Sequence, residues 1–182
     1  MNETARFSVA LTGIANRKLF DETLRLRKDE ADAEKTELAL VLGDIDHFKS
    51  FNDTWGHQTG DQVIRFVAST LTKFALPDHL VARYGGEEFA IVMPRTSLKD
   101  AARIADQIRT AIEAKRLVRR STNETIGAVT VSFGAATYAT GETVGTLITR
   151  ADECLYMSKR NGRNRVTLET QLPPIVAATH AA

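Results

Sequence analysis

The chain has 182 residues, a formal net charge of +1 and 43% hydrophobic residues. These values are typical of one globular domain, and they exclude a strong overall field that attracts nucleic acid or an anionic membrane. The single cysteine, Cys154, excludes an intrachain disulfide and fits a cytoplasmic protein. No apolar run approaches the ~18 residues of a membrane span, and we expect no secretory leader.

The two ends differ in composition from the middle of the chain. Residues 1–8 are polar and unpatterned, whereas residues 171–182 are rich in proline and alanine. Segments of this kind are typical of linkers and loosely packed ends. We therefore expect an N-terminal linker over 1–8, one domain over 9–170 and a tail over 171–182.

The first half of the chain predicts two helices and a buried strand. A charged segment over 16–34 has the pattern of a surface helix. The apolar run 38–46 predicts a central strand that is buried on both faces. Apolar residues recur at helical spacing from Asp61 onward, and Pro77 ends that helix.

The second half begins with two β-like runs, 80–84 and 87–93, on either side of Gly85-Gly86. This pattern predicts a tight hairpin whose type I′ turn needs positive φ at both glycines. Then come a helix, a strand, a helix with Gly162 in a left-handed cap, and a last strand: 97–114, 127–138, 143–160 and 163–168. The order contains β-α-β-β-α-β, so we predict an α/β (α+β) fold of the ferredoxin-like, palm-type class, with a mostly antiparallel sheet flanked by helices.

Four acidic side chains are predicted to cluster at one end of the sheet. Asp44 and Asp46 leave the same face of the buried strand at its end, and the hairpin brings Glu87 and Glu88 nearby. Clustered carboxylates repel one another unless a cation binds between them, and Mg²⁺ or Mn²⁺ takes such oxygen ligands. A solvated strand end beside a charged hairpin explains the pattern equally well.

Five segments in order resemble motifs of the GGDEF family. Residues 84–89 (YGGEEF) resemble the family signature in its GGEEF form. The other four resemble its LTGLxNR, DIDxFK, NDxxGHxxGD and AD…YxxKxxGRN motifs: 11–17, 44–49, 52–61 and 151–164. The resemblance implies a diguanylate cyclase, which condenses two GTP molecules into cyclic di-GMP and two pyrophosphates.

Position by position, the resemblance implies a divalent metal site. Asp44, Glu87 and the carbonyl of Ile45 would bind Mg²⁺ or Mn²⁺, two ions in each active site. Glu87, or a hydroxide that it orders, would help to deprotonate the attacking 3′-hydroxyl group. Glu88 would hold the metal site or the loop, and Lys49 would stabilise the transition state. Asp46 is expected to be a structural partner of the site.

The same comparison implies the residues that read guanine. Asp61 would accept the adjacent N1–H and amine donors of the base, and Asn52 would support it. By local pattern alone, 52–53 is a turn and Asp61 is an acid at a helix N-terminus.

Phosphate contacts are expected from cations near the last helix. Lys159 follows Leu155 by four residues and so continues the inward stripe of that helix, where it needs an anion. Arg163 could converge on the same place, and both match family positions that neutralise the triphosphate. His57 matches the phosphate loop but equally fits an ordinary loop histidine, and Arg83 is a weaker phosphate candidate.

One domain with one base-reading acid holds one GTP, so the reaction requires a two-fold homodimer. We expect a sensor or dimerisation module outside this chain, and no contact of the domain with nucleic acid or membrane. Two features depart from the family: Val9 replaces an acid, and 76–79 (LPDH) lacks the Arg-x-x-Asp motif for product inhibition. The alternatives are a silent GTP-binding regulatory module and a cyclase with a mixed purine product, against which Asp61 argues.

Overall fold

The computed structural model describes residues 10–174; the expected linker, Val9 and the last residues of the expected tail lie outside them. Within this range there are five α-helices: α1 (Arg17–Glu34), α2 (Phe48–Trp55), α3 (His57–Phe74), α4 (Leu98–Ala114) and α5 (Val144–Arg160). Seven strands accompany them: β1 (Leu38–Ile45), β2 (Leu80–Arg83), β3 (Glu88–Pro94), β4 (Leu117–Val118), β5 (Thr125–Gly127), β6 (Val131–Thr137) and β7 (Val166–Leu168). None of the helices in this range is long and apolar enough to cross a membrane.

Five strands form the main sheet in the order β2-β3-β1-β6-β7. The first four are antiparallel to their neighbours, and β7 adds to the edge parallel to β6. Helix α3 connects β1 to β2, and α4 lies between β3 and β6, which is the β-α-β-β-α-β order. The predicted ferredoxin-like class is therefore confirmed.

Helices cover both faces of the sheet because β1 is apolar on both faces. Ala39 and Val41 belong to the core formed with α3 and α4, whereas Leu40 and Leu42 belong to the core formed with α1 and α5. At Gly134 of β6, a Cβ atom would run into the backbone of α5. The close approach of α5 fixes the position of its C-terminal end beside the end of β1.

The helices begin where the sequence supplies a capping oxygen. The side chains of Asn16, Ser97 and Thr143 each accept a backbone N–H from the first turn of α1, α4 and α5. Such a cap stabilises a helix by ~1 kcal/mol. The predicted left-handed cap after α5 is also present, with φ of 111° at Gly162.

The predicted type I′ turn is wrong, although the hairpin itself is present. Four residues connect β2 to β3, and neither Gly85 nor Gly86 has positive φ. The backbone N–H groups of Tyr84 and Gly85 both donate to the carbonyl of Glu88. A Cβ atom at Gly85 would collide with the Glu88 carboxylate, so the glycine provides space and not an unusual φ.

Three boundaries also differ from the sequence pattern. Residues 52–53 lie inside α2 and not in a turn, and α3 begins at His57, four residues before Asp61. Strand β7 begins at Val166 because φ is positive at Arg163 and Asn164. The small hairpin of β4 and β5 was not predicted.

Candidate active site

Asp44 lies at the end of β1, opposite Glu88 on β3 and Ser132 on β6. Only 6% of Asp44 is exposed, and its carboxylate lies 2.9 Å from the Lys159 ammonium. Burial raises the pKa of Asp44 above its usual range, against the lowering effect of Lys159. The structure thus places a buried carboxylate, paired with the Lys159 ammonium, at this end of the sheet.

Glu87 lies in the β2–β3 connection, beside the end of β1. Its carbonyl accepts a hydrogen bond of 3.2 Å from the N–H of Ile45, so the Ile45 backbone runs next to it. Burial raises the pKa of the Glu87 carboxyl, and repulsion from Asp44 raises it further. A buried carboxylate that opposes the ionisation of its neighbour forms with it a site that a cation stabilises.

Asp46 has a different set of contacts from Asp44. Its carboxylate accepts hydrogen bonds from the hydroxyls of Thr130 and Ser132, both at 2.7 Å, and from the Asn164 N–H at 3.0 Å. The residue is 8% exposed. These bonds occupy both oxygens and connect β1 to the segment that contains Arg163, as expected of a structural partner.

The turn that presents Glu87 is held by side chains on both sides. Arg83 donates from Nε and Nη2 to the carbonyl of Gly86, at 3.2 and 2.7 Å. Tyr84 packs edge-on against Phe20, with 5.1 Å between ring centroids. The bond of Arg83 to Gly86 was not foreseen, because the sequence marked Arg83 only as a weak phosphate candidate.

The donor set fits a hard divalent ion that phosphate helps to coordinate. No group of three His, Cys, Asp or Glu side chains able to hold a metal occurs in residues 10–174. Asp44 and Glu87 supply two carboxylates, and Mg²⁺ characteristically binds through one or two carboxylates plus substrate phosphates. A closed zinc site would need four protein ligands and is not formed here.

The cations of α5 and its C-terminal loop lie on the same side of the site. Lys159 is 34% exposed in its side chain and contacts Asp44, so the expected anion partner of the inward stripe is an acid of the site. Arg163 follows the Gly162 cap, and its backbone N–H donates to Ser158 at 2.9 Å. The positive charge of Arg163 also lowers the pKa of the Asp44 carboxyl, but it does so less than Lys159.

The two residues expected to read guanine lie beside each other on α2 and α3. The Asn52 side chain lies over Gly60, where a Cβ atom would collide with Asn52 Oδ1. That oxygen is buried and has no hydrogen-bond partner among the described residues. Asp61 follows Gly60 and is partly exposed. An unpaired acceptor suits a ligand that presents N–H donors, and the carboxylate of Asp61 belongs to the residue that follows Gly60.

The remaining predicted site residues are Lys49, His57 and Glu88. Lys49 and His57 are exposed near the starts of α2 and α3, and neither shares a hydrogen bond or ion pair with Asp44 or Glu87 in the described residues. Glu88 begins β3, with its carboxylate folded over Gly85.

The segment 76–79 forms its own small hydrogen-bonded turn. The Leu76 N–H donates to Nδ1 of His79 at 3.2 Å, and Nε2 of His79 lies 3.2 Å from the Thr96 hydroxyl. Burial lowers the pKa of His79, which favours its neutral form. This turn offers no guanidinium in place of the Arg-x-x-Asp motif.

Comparison with known proteins agrees with this geometry. A family model described as "Diguanylate cyclase, GGDEF domain" matches residues 10–165. The chain is 38% identical over 157 residues to diguanylate cyclase VdcA of Vibrio cholerae, covering 86% of this chain and 45% of that protein. It is 43% identical over 158 residues to the uncharacterized protein YhcK of Bacillus subtilis, covering 86% and 44%.

The chain thus spans less than half the length of these curated relatives. Among solved structures, the GGDEF domain of DgcB from Caulobacter crescentus, in complex with c-di-GMP, has a TM-score of 0.90 and 50% identity. That match covers 93% of this chain and 96% of the DgcB chain. The chain therefore belongs to the GGDEF family.

Proposed function

We propose that this chain is the catalytic domain of a diguanylate cyclase, occupying residues 9–170. It condenses two GTP molecules into cyclic di-GMP and releases two pyrophosphates. The observation that carries the proposal is the pair of desolvated carboxylates, Asp44 and Glu87, with Lys159 at 2.9 Å from Asp44. The names of relatives such as VdcA support the same activity.

Asp44, Glu87 and the Ile45 carbonyl would hold Mg²⁺ or Mn²⁺, two ions in each active site. When bound, such ions polarise a phosphate and favour ionisation of an attacking hydroxyl group. The protein contributes the position of the carboxylates: hydrogen bonds fix the β2–β3 connection at Ile45 on one side and at Arg83 on the other. Glu88 fills the space over Gly85 and so holds the turn that presents Glu87.

Lys159 and Arg163 would bind the triphosphate of GTP. The Lys159 ammonium has three N–H donors, and Asp44 engages it from one side, so donors remain for phosphate oxygens. Charge that spreads over phosphate oxygens in the transition state is stabilised by fixed cations of this kind. Lys49 and His57 would assist at the rim, Lys49 in the transition state and His57 at the phosphate loop.

Asp61 and Asn52 would select guanine. The Asp61 carboxylate accepts hydrogen bonds from the N1–H and the exocyclic amine of guanine. The unpaired Oδ1 of Asn52 lies against Gly60, the residue that precedes Asp61. Adenine presents an acceptor at N1, so the same carboxylate would face it unpaired. Buried polar groups that lose their partner are what makes such sites selective.

Two copies of the chain would face each other, because each holds one GTP and each GTP attacks the other's α-phosphate. One solved structure of DgcB contains a coiled coil together with the GGDEF domain, which supports a dimerisation module attached outside the present sequence. The domain would work in the cytoplasm, where GTP is available.

The test is incubation with GTP and Mg²⁺ over a dilution series of protein, followed by chromatography. We expect one cyclic di-GMP for every two pyrophosphates, with specific activity that rises with protein concentration until dimers saturate. GTP binding without turnover would instead indicate a silent regulatory module. Constant specific activity in a protein shown to be monomeric would contradict the two-site arrangement.

A further inference from the structure

The β4–β5 hairpin carries a local excess of positive charge, although the net charge of the whole chain is close to zero. Four of the six residues 115–120 are basic, namely Lys115, Arg116, Arg119 and Arg120, while the net charge of the chain is +1. Glu124 is the one acid in residues 115–127. The hairpin lies beside the N-terminal half of α3, where Arg65 adds a fifth cation.

These five cations have no acidic partner among the described residues, unlike several other arginines of the domain. Arg109 and Arg150 each form ion pairs with two carboxylates. By contrast, no carboxylate of residues 10–174 lies within 4.0 Å of the side-chain nitrogens of the four hairpin cations or Arg65. In addition, Nε of Arg119 is buried and has no hydrogen-bond partner in the described residues. A buried, unpaired guanidinium N–H is costly unless an anion binds it.

The arginines surround a cleft. A space of about 290 Å³ lies between α3 and the hairpin, and its lining includes Arg65, Arg119 and Arg120. Gln58 and Thr59, from the first turn of α3, lie in the same lining. Guanidinium groups and a helix N-terminus together favour phosphate oxygens.

A second space, of about 310 Å³, shares Thr59, Gln62 and Arg120 with the first. Its remaining lining combines two further cations, Lys115 and Arg116, with five apolar side chains, one of them aromatic: Val63, Phe66, Leu117, Val118 and Ile126. The two spaces together bring five cations next to an apolar, aromatic surface. Nucleotides combine phosphates with a flat base in the same way.

We propose that this cleft is a second nucleotide-binding site, with phosphates against Arg119 and Arg120 and the base against Phe66. Its lining does not include Asp44, Glu87, Lys159 or Asn52, although it borders the guanine-reading position Asp61, and its existence does not depend on the proposed catalytic activity. The nucleotide could be GTP or cyclic di-GMP, since both present phosphates and guanine. Because Asp61 also lines the first of the two spaces, a nucleotide bound there would change the turnover of GTP by the domain.

The test is isothermal titration of the full chain in EDTA with GTP, cyclic di-GMP, pyrophosphate and guanosine, each added separately. We expect metal-free binding of the two nucleotides that weakens about tenfold or more in Arg119→Gln/Arg120→Gln, since two charge-assisted contacts are lost. The nucleotide with the higher affinity, GTP or cyclic di-GMP, is then the ligand of this site. Arg25→Gln/Arg103→Gln is the matched control, because it removes the same charge from exposed residues on α1 and α4.

Asn52→Ala/Lys159→Ala separates this site from the catalytic one, because neither residue lines the cleft, and metal-free binding should persist in that variant. Absence of binding, equal weakening in the control, or loss in Asn52→Ala/Lys159→Ala would each overturn the proposal. The proposal would also be overturned if Arg119→Gln/Arg120→Gln changed dimerisation, measured by ultracentrifugation, and left nucleotide affinity unchanged. That result would indicate that the hairpin binds a partner chain. Arg120→Gln alone, at an exposed position, provides the test if the double variant does not fold.

Discussion

Asp46→Ala should lower the free energy of unfolding more than Asp44→Ala does. The substitution removes hydrogen bonds of 2.7, 2.7 and 3.0 Å and leaves the hydroxyls of Thr130 and Ser132 and the N–H of Asn164 without an acceptor. Ser132 is fully buried, so water cannot easily replace the lost oxygen. Breaking a buried network of charged hydrogen bonds costs on the order of 3–5 kcal/mol. For a domain of this size the expected fall in Tm is about 10 °C.

The assay is thermal unfolding at pH 7, followed by circular dichroism, with Asp44→Ala as the control. Burial raises the pKa of Asp44 in spite of Lys159, so above that pKa the ionised carboxylate costs stability in comparison with the unfolded chain. Asp44→Ala should therefore leave Tm nearly unchanged or raise it. If Asp46→Ala unfolded at the wild-type temperature, or Asp44→Ala were the less stable variant, the structural role of Asp46 would be wrong.

Three other predictions concern the chemistry of the site. Asp61→Ser should lower GTP turnover by roughly ten- to a few-hundredfold and shift preference toward ATP, because a charged partner of the guanine edge is lost; an unchanged GTP-to-ATP ratio in mixed-substrate assays would place base reading elsewhere. Lys159→Ala should lower turnover of both nucleotides by a similar factor, since phosphates are common to them, and a selective loss of GTP would refute that role. Burial raises the pKa values of Asp44 and Glu87, so Mn²⁺ affinity measured by titration should begin to fall above the usual carboxylate range as the pH is lowered. An affinity that stayed constant down to about pH 4 would contradict this.

Periodicity and composition were sufficient for the order of the elements of the main sheet. The run 38–46 is apolar at every position that a two-sided strand needs, and β1 is buried along its whole length. The inward stripe that ends at Lys159 also indicated that this lysine needs an anion, but not that Asp44 is its partner in the folded chain.

Side-chain contacts between distant segments could not be read from local pattern. Helix α2 has one buried residue, Phe48, and its residues 52–53 read as a turn when the packing of α3 is unknown. The contact that a Cβ atom at Gly85 would make depends on where the Glu88 side chain lies, which φ preferences do not reveal. The hydrogen bonds of Asp46 join residues more than 80 positions apart, so no spacing rule contains them.

The most direct measurement compares the wild type with Glu87→Gln, in parallel assays of cyclic di-GMP formation from GTP and Mg²⁺, Mn²⁺ affinity and Tm. Glutamine keeps the size of the side chain but removes the charge that a divalent ion requires. We predict that Glu87→Gln forms no cyclic di-GMP and binds Mn²⁺ more weakly. Its Tm should be unchanged or higher, because burial and Asp44 already oppose ionisation of Glu87. Cyclic di-GMP formation by the variant at a rate near that of the wild type would remove Glu87 from the mechanism.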